Sequence, residues 1–318
     1  MSDRRRARRT PAAALLVALL ALLLAGCGDY DSKDDSVGQQ PQGASLRITL
    51  GTQEFPEARI LGELWRQALA VNGFTVDLRK GVGPAADLDA LLRKGDIDGH
   101  VAYTGTVLSV VGHQPVSGLD AQQTYDQART FYDRRGLAMS AMTPFQDKDA
   151  VAVTSAFAQR YRLRTIADLR RVKGLRLGAR PEFEGLTLGL RGLQRTYGLT
   201  GVRFLPVPLG RQYAALDSGR AQAVDAFTTD PQLRGGDYRV LGDPKNLFGA
   251  QNVVMTVSKD QLDRVDGRTF LDVVSTVNRK LSQTDMVDLN AGVTSGETDQ
   301  TVARAFLQQE GLLDRRAY

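Results

Sequence analysis

Ala90-Leu91-Leu92-Arg93-Lys94-Gly95 leads through a short apolar run to Ala102-Tyr103-Thr104, and Ala214-Ala215-Leu216-Asp217-Ser218-Gly219 leads the same way to Ala226-Phe227-Thr228. Both read as helix, glycine C-cap, strand, aromatic residue, threonine. With Gly95 set against Gly219, Tyr103 and Phe227 fall in register. Ligands of open α/β sheets sit beyond the carboxyl ends of strands. The repeated unit therefore predicts two similar α/β halves, each offering one aromatic ring and one hydroxyl to a shared cleft. The other reading is two ordinary βα turns of common composition.

Working outward, strands and amphipathic helices alternate. Leu46 to Leu50 alternates like a strand, Pro56 fits a first helical turn, and Ile60, Leu61, Leu64, Trp65, Ala68 and Leu69 recur at helical spacing up to Gly73. Trp65 is expected in the core. Strands are expected at 74–78 and 97–101 with a helix at 87–93 between them. Beyond these, 151–153, 175–177, 204–207, 221–226, 239–241 and 253–257 read as strands, and 186–197 as a helix. Such alternation predicts βαβ units and a mostly parallel sheet. Helices near 270–281 and 301–307 suggest that the chain returns to its first half.

The ends separate from this folded part. Arg4, Arg5, Arg6, Arg8 and Arg9 precede an apolar run from Ala12 to Leu24, then Ala25-Gly26-Cys27. That order reads as a secretory signal, since a spanning helix needs about 20 apolar residues. Leu24-Ala25-Gly26-Cys27 looks like a lipobox, which makes residues 1–26 a lipoprotein signal and Cys27 the lipidated residue. Residues 27–45 are polar and rich in Gly, Gln and Asp, the composition of a flexible tether. Cys27 is the only cysteine, so neither an internal disulfide nor a cysteine metal site is expected.

Of 41 basic and 36 acidic residues, five arginines and one aspartate lie in residues 1–26. The mature chain is close to neutral, which argues against a nucleic-acid partner. Gly81-Val82-Gly83-Pro84-Ala85-Ala86 matches a dinucleotide fingerprint, but no acidic residue follows the next strand to hold a ribose, and a full βα unit precedes it. A tight turn is the simpler reading, and no cofactor is expected. His100 and His113 are the only histidines; His100 reads as packed. Asp96 and Asp98 read as a solvated turn. No nucleophile–base pair or metal cluster can be assembled, so an enzyme is not expected.

Gly51-Thr52-Gln53-Glu54-Phe55, Ile60-Leu61-Gly62-Glu63, Gly95-Asp96-Ile97-Asp98, Tyr103-Thr104-Gly105-Thr106, Pro181-Glu182-Phe183, Ala226-Phe227-Thr228-Thr229-Asp230 and Gly311-Leu312-Leu313 occur in an order and spacing that resembles the glycine betaine, choline and carnitine-binding lipoproteins of osmoprotectant ABC importers. The resemblance covers about 46–313. It implies a type II periplasmic-binding-protein fold: two α/β lobes, a ligand cleft and two crossovers. These fall near 144–147 and 250–252, with lobe one at 46–145 plus 252–318 and lobe two at 146–251. It implies an extracytoplasmic protein, membrane-anchored through Cys27, that delivers a small amine or betaine-like solute to an ABC permease with its ATPase. The alternative is an interaction or sensory lipoprotein that kept the fold without the ligand.

The resemblance also assigns a site. Tyr103 and Phe227 take two positions of an aromatic cage, whose attraction for a methylated ammonium is cation–π. Thr106 falls where the ligand's polar end is bonded. Arg180 is either a carboxylate clamp or a salt bridge at a helix start. Gln53 stands where relatives often have lysine, and Asp147 where they have Asn or Asp. Asp149 and Gln251 replace two cage tyrosines. Aspartates in place of rings imply a cation that donates hydrogen bonds, because an unpaired buried carboxylate costs several kcal/mol.

Overall fold

The computed structural model describes residues 47–314 and Ala317. The signal segment, Cys27 and the tether lie outside the described residues. Among those described, no helix is long and apolar enough to cross a membrane.

Ten strands build two five-stranded sheets. β1 (Arg47–Gly51), β2 (Thr75–Arg79), β3 (Gly99–Tyr103), β4 (Leu137–Met139) and β10 (Val253–Ser258) form the first, ordered β2-β1-β3-β10-β4. β5 (Asp149–Thr154), β6 (Arg176–Ala179), β7 (Arg203–Pro206), β8 (Ala223–Phe227) and β9 (Tyr238–Leu241) form the second, ordered β7-β6-β8-β5-β9. The two orders superimpose: β1 matches β6, β3 matches β8, and β10 matches β5. The repeated sequence unit ends on the matched pair β3 and β8, and its capping glycines are both left-handed, Gly95 at φ 79° and Gly219 at φ 68°.

The expectation of a mostly parallel sheet is corrected. In each sheet two pairings are parallel and two antiparallel, because the strand entering by a crossover, β10 or β5, runs opposite to its neighbours. Both faces of each sheet are covered, so the central strands read as continuous apolar runs. Val101 and Tyr103 of β3 join Val253, Met255 and Val257 of β10 in one core beneath the helix Pro56–Val71, while Ala102 and Val254 face a second core on the other side. Val151 and Val153 pack with Phe183 and Leu193 on one face of the second sheet, and Ala152 packs with Val224 and Ala226 on the other.

The carboxy-terminal helices Gly267–Lys280 and Asp299–Gln309 pack in the first core, as the return of the chain requires. Trp65 is buried there, and its indole N–H donates to Asn278 Oδ1 at 2.8 Å. Several elements differ from the sequence reading. The strand expected at 97–101 begins at Gly99, because Asp98 is held outside the ladder: its carboxylate accepts from Thr49 N at 2.7 Å. The helix expected at 186–197 begins at Leu190, after a turn in which Gly189 N donates to Leu186 O. The helices Ala121–Asp133 and Gln283–Thr294 were not anticipated, the first because it is polar overall and the second because it lacks a one-sided apolar face. Capping boxes at Asp120/Gln123 and Ser282/Asp285 are the signal that marks their starts.

Two segments join the sheets, and they lie side by side. Gln146 and Asn252 form an antiparallel bridge, and Asp147 N donates to Gln251 O at 3.1 Å. Gln251 N donates to Gln146 Oε1, and the Asn252 amide donates to the carbonyls of Thr143 and Phe145.

Candidate functional site

A cleft of about 390 Å³ opens where the two sheets meet, within the range of small-molecule sites. One wall is the start of the helix Pro56–Val71, with Glu54, Phe55 and Glu57, together with Asn290 and Thr294 from the helix Gln283–Thr294. The other wall is Gln212 and Tyr213 at the start of the helix Gln212–Asp217, with Phe227 at the end of β8 and Thr229 and Asp230 just past it. Asp147, on a crossover, lies between them. A depression of about 430 Å³ along the helix Ala121–Asp133 involves no crossover residue; there the Arg135 guanidinium stacks on the Phe131 ring.

Carboxyl groups dominate the cleft. Glu57 Oε1 accepts from the Tyr103 hydroxyl at 3.1 Å, and its Oε2 from the Asn290 amide at 3.3 Å. Desolvation pushes Glu57 up to about 7 against the opposing effect of hydrogen bonds from Thr229, Asn290 and Tyr103. Asp147 accepts from Thr229 Oγ1 at 2.9 Å, and burial, reinforced by the charge of Glu57, holds it well above the usual carboxylate range. Asp230 accepts from Tyr213 OH at 2.8 Å and Phe227 N at 2.9 Å; burial raises it as well.

Of the eight residues proposed from the sequence as ligand contacts, Asp147 and Phe227 line this cleft. The other six are not among the residues that line it. Tyr103 is buried, with its hydroxyl on Glu57 and its ring 6.0 Å from that of Phe55. Phe55 and Glu57 thus stand between Tyr103 and the open space. Gln53 is buried and donates to Val101 O at 3.2 Å. Gln251 Oε1 accepts from both Thr106 N and Thr106 Oγ1, at 3.0 and 3.3 Å, so each satisfies the other. Gly105 is required between them: a Cβ there would meet Ala250 O at 2.5 Å.

Asp149 and Arg180 are placed against each other. The Arg180 guanidinium is paired with Asp149 at 2.8 Å, with Asp225 and with Glu182, and lies 5.3 Å from the Phe227 ring centroid. Of the two roles left open for Arg180, the structure shows the salt bridge. The charge of Asp149 is accordingly directed to an arginine of the same lobe. The two repeat hydroxyls are also engaged. Thr228 Oγ1 accepts from Lys148 N and donates to Gln146 O, both at 2.9 Å, and Thr104 Oγ1 reaches Ala250 O at 3.5 Å. They pin the crossovers. His100 is buried against Val101 O, as expected of a packed residue.

Sequence reasoning missed Glu57, Asp230, Tyr213, Thr229 and Asn290 as wall residues. Glu57 follows the quoted opening segment and Asp230 closes the quoted Ala226–Asp230 block, so the signal was adjacency to those motifs. Asn290 carried none, since its helix was not anticipated.

Residues 47–309 match the family described as the substrate-binding domain of ABC-type glycine betaine transport systems. The chain belongs to this family. It therefore carries the substrate-binding domain of an ABC-type transport system. It is 24% identical over 269 residues to an ergothioneine transport permease/ergothioneine binding protein of Helicobacter pylori strain G27, covering 83% of this chain and 48% of that protein. The chain thus spans about half the length of that relative. It is 21% identical to a carnitine transport binding protein of Listeria monocytogenes, covering 84% and 88% of the two chains. Among solved structures, a glycine betaine/carnitine/choline ABC transporter protein shares the fold at a TM-score of 0.71 and 22% identity, covering 84% of this chain and all of that one.

Proposed function

We propose that this substrate-binding protein captures a small cationic amine, betaine-like or related, in the cleft between its sheets and delivers it to an ABC permease. The observation that supports this most is the composition of the walls. Glu54, Glu57, Asp147 and Asp230 line the cleft beside Phe55, Tyr213 and Phe227, and among the described residues no lysine, arginine or histidine lines it. Carboxylates and ring faces both attract cations. The ligands in the names of the Helicobacter and Listeria relatives, ergothioneine and carnitine, fall within this range.

The bridged segments at 144–147 and 250–252 serve as the hinge, with lobe one at 46–145 plus 252–318 and lobe two at 146–251. A ligand that touches both walls favours closure by its differential affinity. Titration calorimetry of the purified protein with a panel of amines and betaines tests this reading, with small-angle scattering on the same samples. Binding accompanied by a smaller radius of gyration is expected. A panel without binding, on protein carrying no co-purified small molecule by mass spectrometry, would favour an interaction or sensory lipoprotein.

We further propose that Cys27 carries the lipid that holds the protein at the cell membrane, through the signal and tether of residues 1–45. Two or more acyl chains suffice for stable residence, whereas one is marginal. Cys27→Ser is expected to stop lipid labelling and leave the signal uncleaved; a mutant that labels and fractionates like the wild type overturns the anchor.

A further inference from the structure

We propose that the end of the second sheet remote from the cleft is a contact surface for an anionic lipid bilayer. The proposal stands on charge and topology and does not depend on which solute the cleft takes.

Charge is unevenly divided along the chain. Residues 146–251, which build the second sheet, include 17 basic and 10 acidic residues, a net of +7; residues 46–145 and 252–318 include 18 and 21, a net of −3. Strand direction gathers the excess in one place. β6 runs parallel to β7 and β8, and β5 runs antiparallel to β8, so the amino ends of β6, β7 and β8 share one edge with the carboxyl end of β5. Phe227, which lines the cleft, stands at the carboxyl end of β8, the opposite end of the sheet.

Residues 160–173 run from the end of the helix Ser155–Tyr161 back to β6 along this edge. Six of these fourteen residues are Arg or Lys, all six exposed, and one is acidic. That acid, Asp168, is already engaged: it accepts from the backbone N–H groups of Arg164 and Thr165 and pairs with Arg171. Arg176 opens β6 directly beside Arg203, which opens β7, and the Arg176 guanidinium donates to the carbonyls of Gly219 and Arg220 ahead of β8. Two further acids, Asp217 and Asp237, border the edge, and Asp217 accepts from Tyr238 OH at 2.7 Å. Among the described residues, Arg171 is the one cation of this edge with an ion pair.

Clustered like charges repel one another when no counter-charge is near, and such a surface fits an anionic partner. Two observations favour a bilayer over an acidic protein or polymer. Tyr161 is 37% exposed between Arg160 and Arg162, with the Arg160 guanidinium 5.6 Å from its ring centroid. An amphipathic ring among cations suits the headgroup level of a membrane. Residues 28–45 separate the lipid proposed on Cys27 from the folded part, and a polar chain of that length spans roughly 25 Å. An anchored domain is thus held beside the bilayer, where weak contacts gain from high local concentration. Each Lys or Arg near an anionic surface is worth about fivefold in binding.

The test is co-sedimentation of the chain from Gly28 to Tyr318, which retains every described residue, with vesicles of phosphatidylcholine alone or with about one third phosphatidylglycerol. Because this chain lacks Cys27 and no solute is added, the result is separate from the anchor and from the cleft. At about 50 mM salt the anionic vesicles are expected to bind it about tenfold or more tightly than the neutral ones, and at about 500 mM salt the difference is expected to vanish. Arg164→Gln, Lys173→Gln, Arg203→Gln and Arg220→Gln, combined, are expected to weaken this binding about tenfold or more, with unchanged circular dichroism, since all four side chains are exposed. A charge-matched set among exposed residues outside 146–251, Lys94→Gln, Arg129→Gln, Arg264→Gln and Arg304→Gln, is expected to change it less than about twofold. Equal losses in the two sets would mean that net charge alone acts, and overturn the surface. Equal binding of the wild type to both kinds of vesicle overturns it too. Capture by polyglutamate without vesicle binding overturns the bilayer in favour of an acidic polymer.

Discussion

Asp149 and Asp225 lie two and five residues along the chain from Asp147 and Asp230, yet the two pairs are handled in opposite ways, and Glu57 is handled as the second pair is. Asp149 and Asp225, on neighbouring strands of the second sheet, share the guanidinium of Arg180, which leaves the end of β6 to reach them. Glu57, Asp147 and Asp230, around the cleft, have hydroxyl and amide partners and no cationic one. Burial is the largest influence on Asp225 as on Glu57 and Asp147; Asp149 raises Asp225 further and Arg180 opposes the rise, whereas Glu57 raises Asp147 and Asp230 raises Glu57 with no cation to oppose them. An acid with a resident cation belongs to the scaffold. An acid of similar burial without one holds the folded state at a disadvantage that a ligand removes.

The largest expected effect breaks the first group. Arg180→Met leaves Asp149 and Asp225 without their cation and is expected to cost about 3–5 kcal/mol of folding free energy, read as a clear fall in the thermal midpoint. A midpoint within a degree or two of the wild type would mean that the guanidinium does not hold this end of the second sheet together.

The second effect has the opposite sign. Asp147→Asn or Glu57→Gln removes a charge that no cationic side chain lining the cleft pairs, among the described residues. Each is expected to leave the ligand-free protein as stable at pH 8 or more stable, by roughly 1–2 kcal/mol. The pH dependence follows from Glu57, raised from 4.5 to about 7. Below 4.5 the group is protonated folded and unfolded, and its contribution is fully present. Between 4.5 and 7 the folded state binds the proton more tightly, so stability falls as pH rises through 7. The ligand-free wild type is expected to lose midpoint between pH 5 and 8, and Glu57→Gln to flatten that slope. Cation binding should run the other way and tighten with pH, because the ligand displaces the proton. A thermal profile in Glu57→Gln as steep as in the wild type would assign the slope to other groups.

The smallest effect sharpens the comparison between the two halves of the repeat. Thr228 makes two short bonds to its crossover and Thr104 one long one. Thr228→Val is expected to cost about 1–2 kcal/mol and Thr104→Val no more than about 0.5 kcal/mol. Equal costs in urea titrations would show that the side-chain bonds do not set the difference.

Much of the fold was legible before any coordinates. The alternation of short apolar runs with helical periodicity marked every strand except β4, a three-residue element whose partners come from far along the chain. The repeat ending at Tyr103 and Phe227 located the matched strands β3 and β8, and the two crossovers were expected where the chain segments are bridged. The site was less legible. Phe227 and Asp147 were named and line the cleft; Asp149 was assigned to the ligand but faces Arg180, which is 31 positions away in sequence.

The sequence alone determined what depends on local order: which segments are strands, where glycine caps end helices, and that two like units build two sheets. These follow from periodicity and backbone preference, which act over a few residues. Only the tertiary structure decided which carboxylates are paired. Glu57 and Asn290 lie 233 positions apart, yet they meet at one wall of the cleft. Whether an aspartate is neutralised depends on distances of a few ångströms across the fold, because a Coulomb interaction in a buried site depends on separation in space and not along the chain.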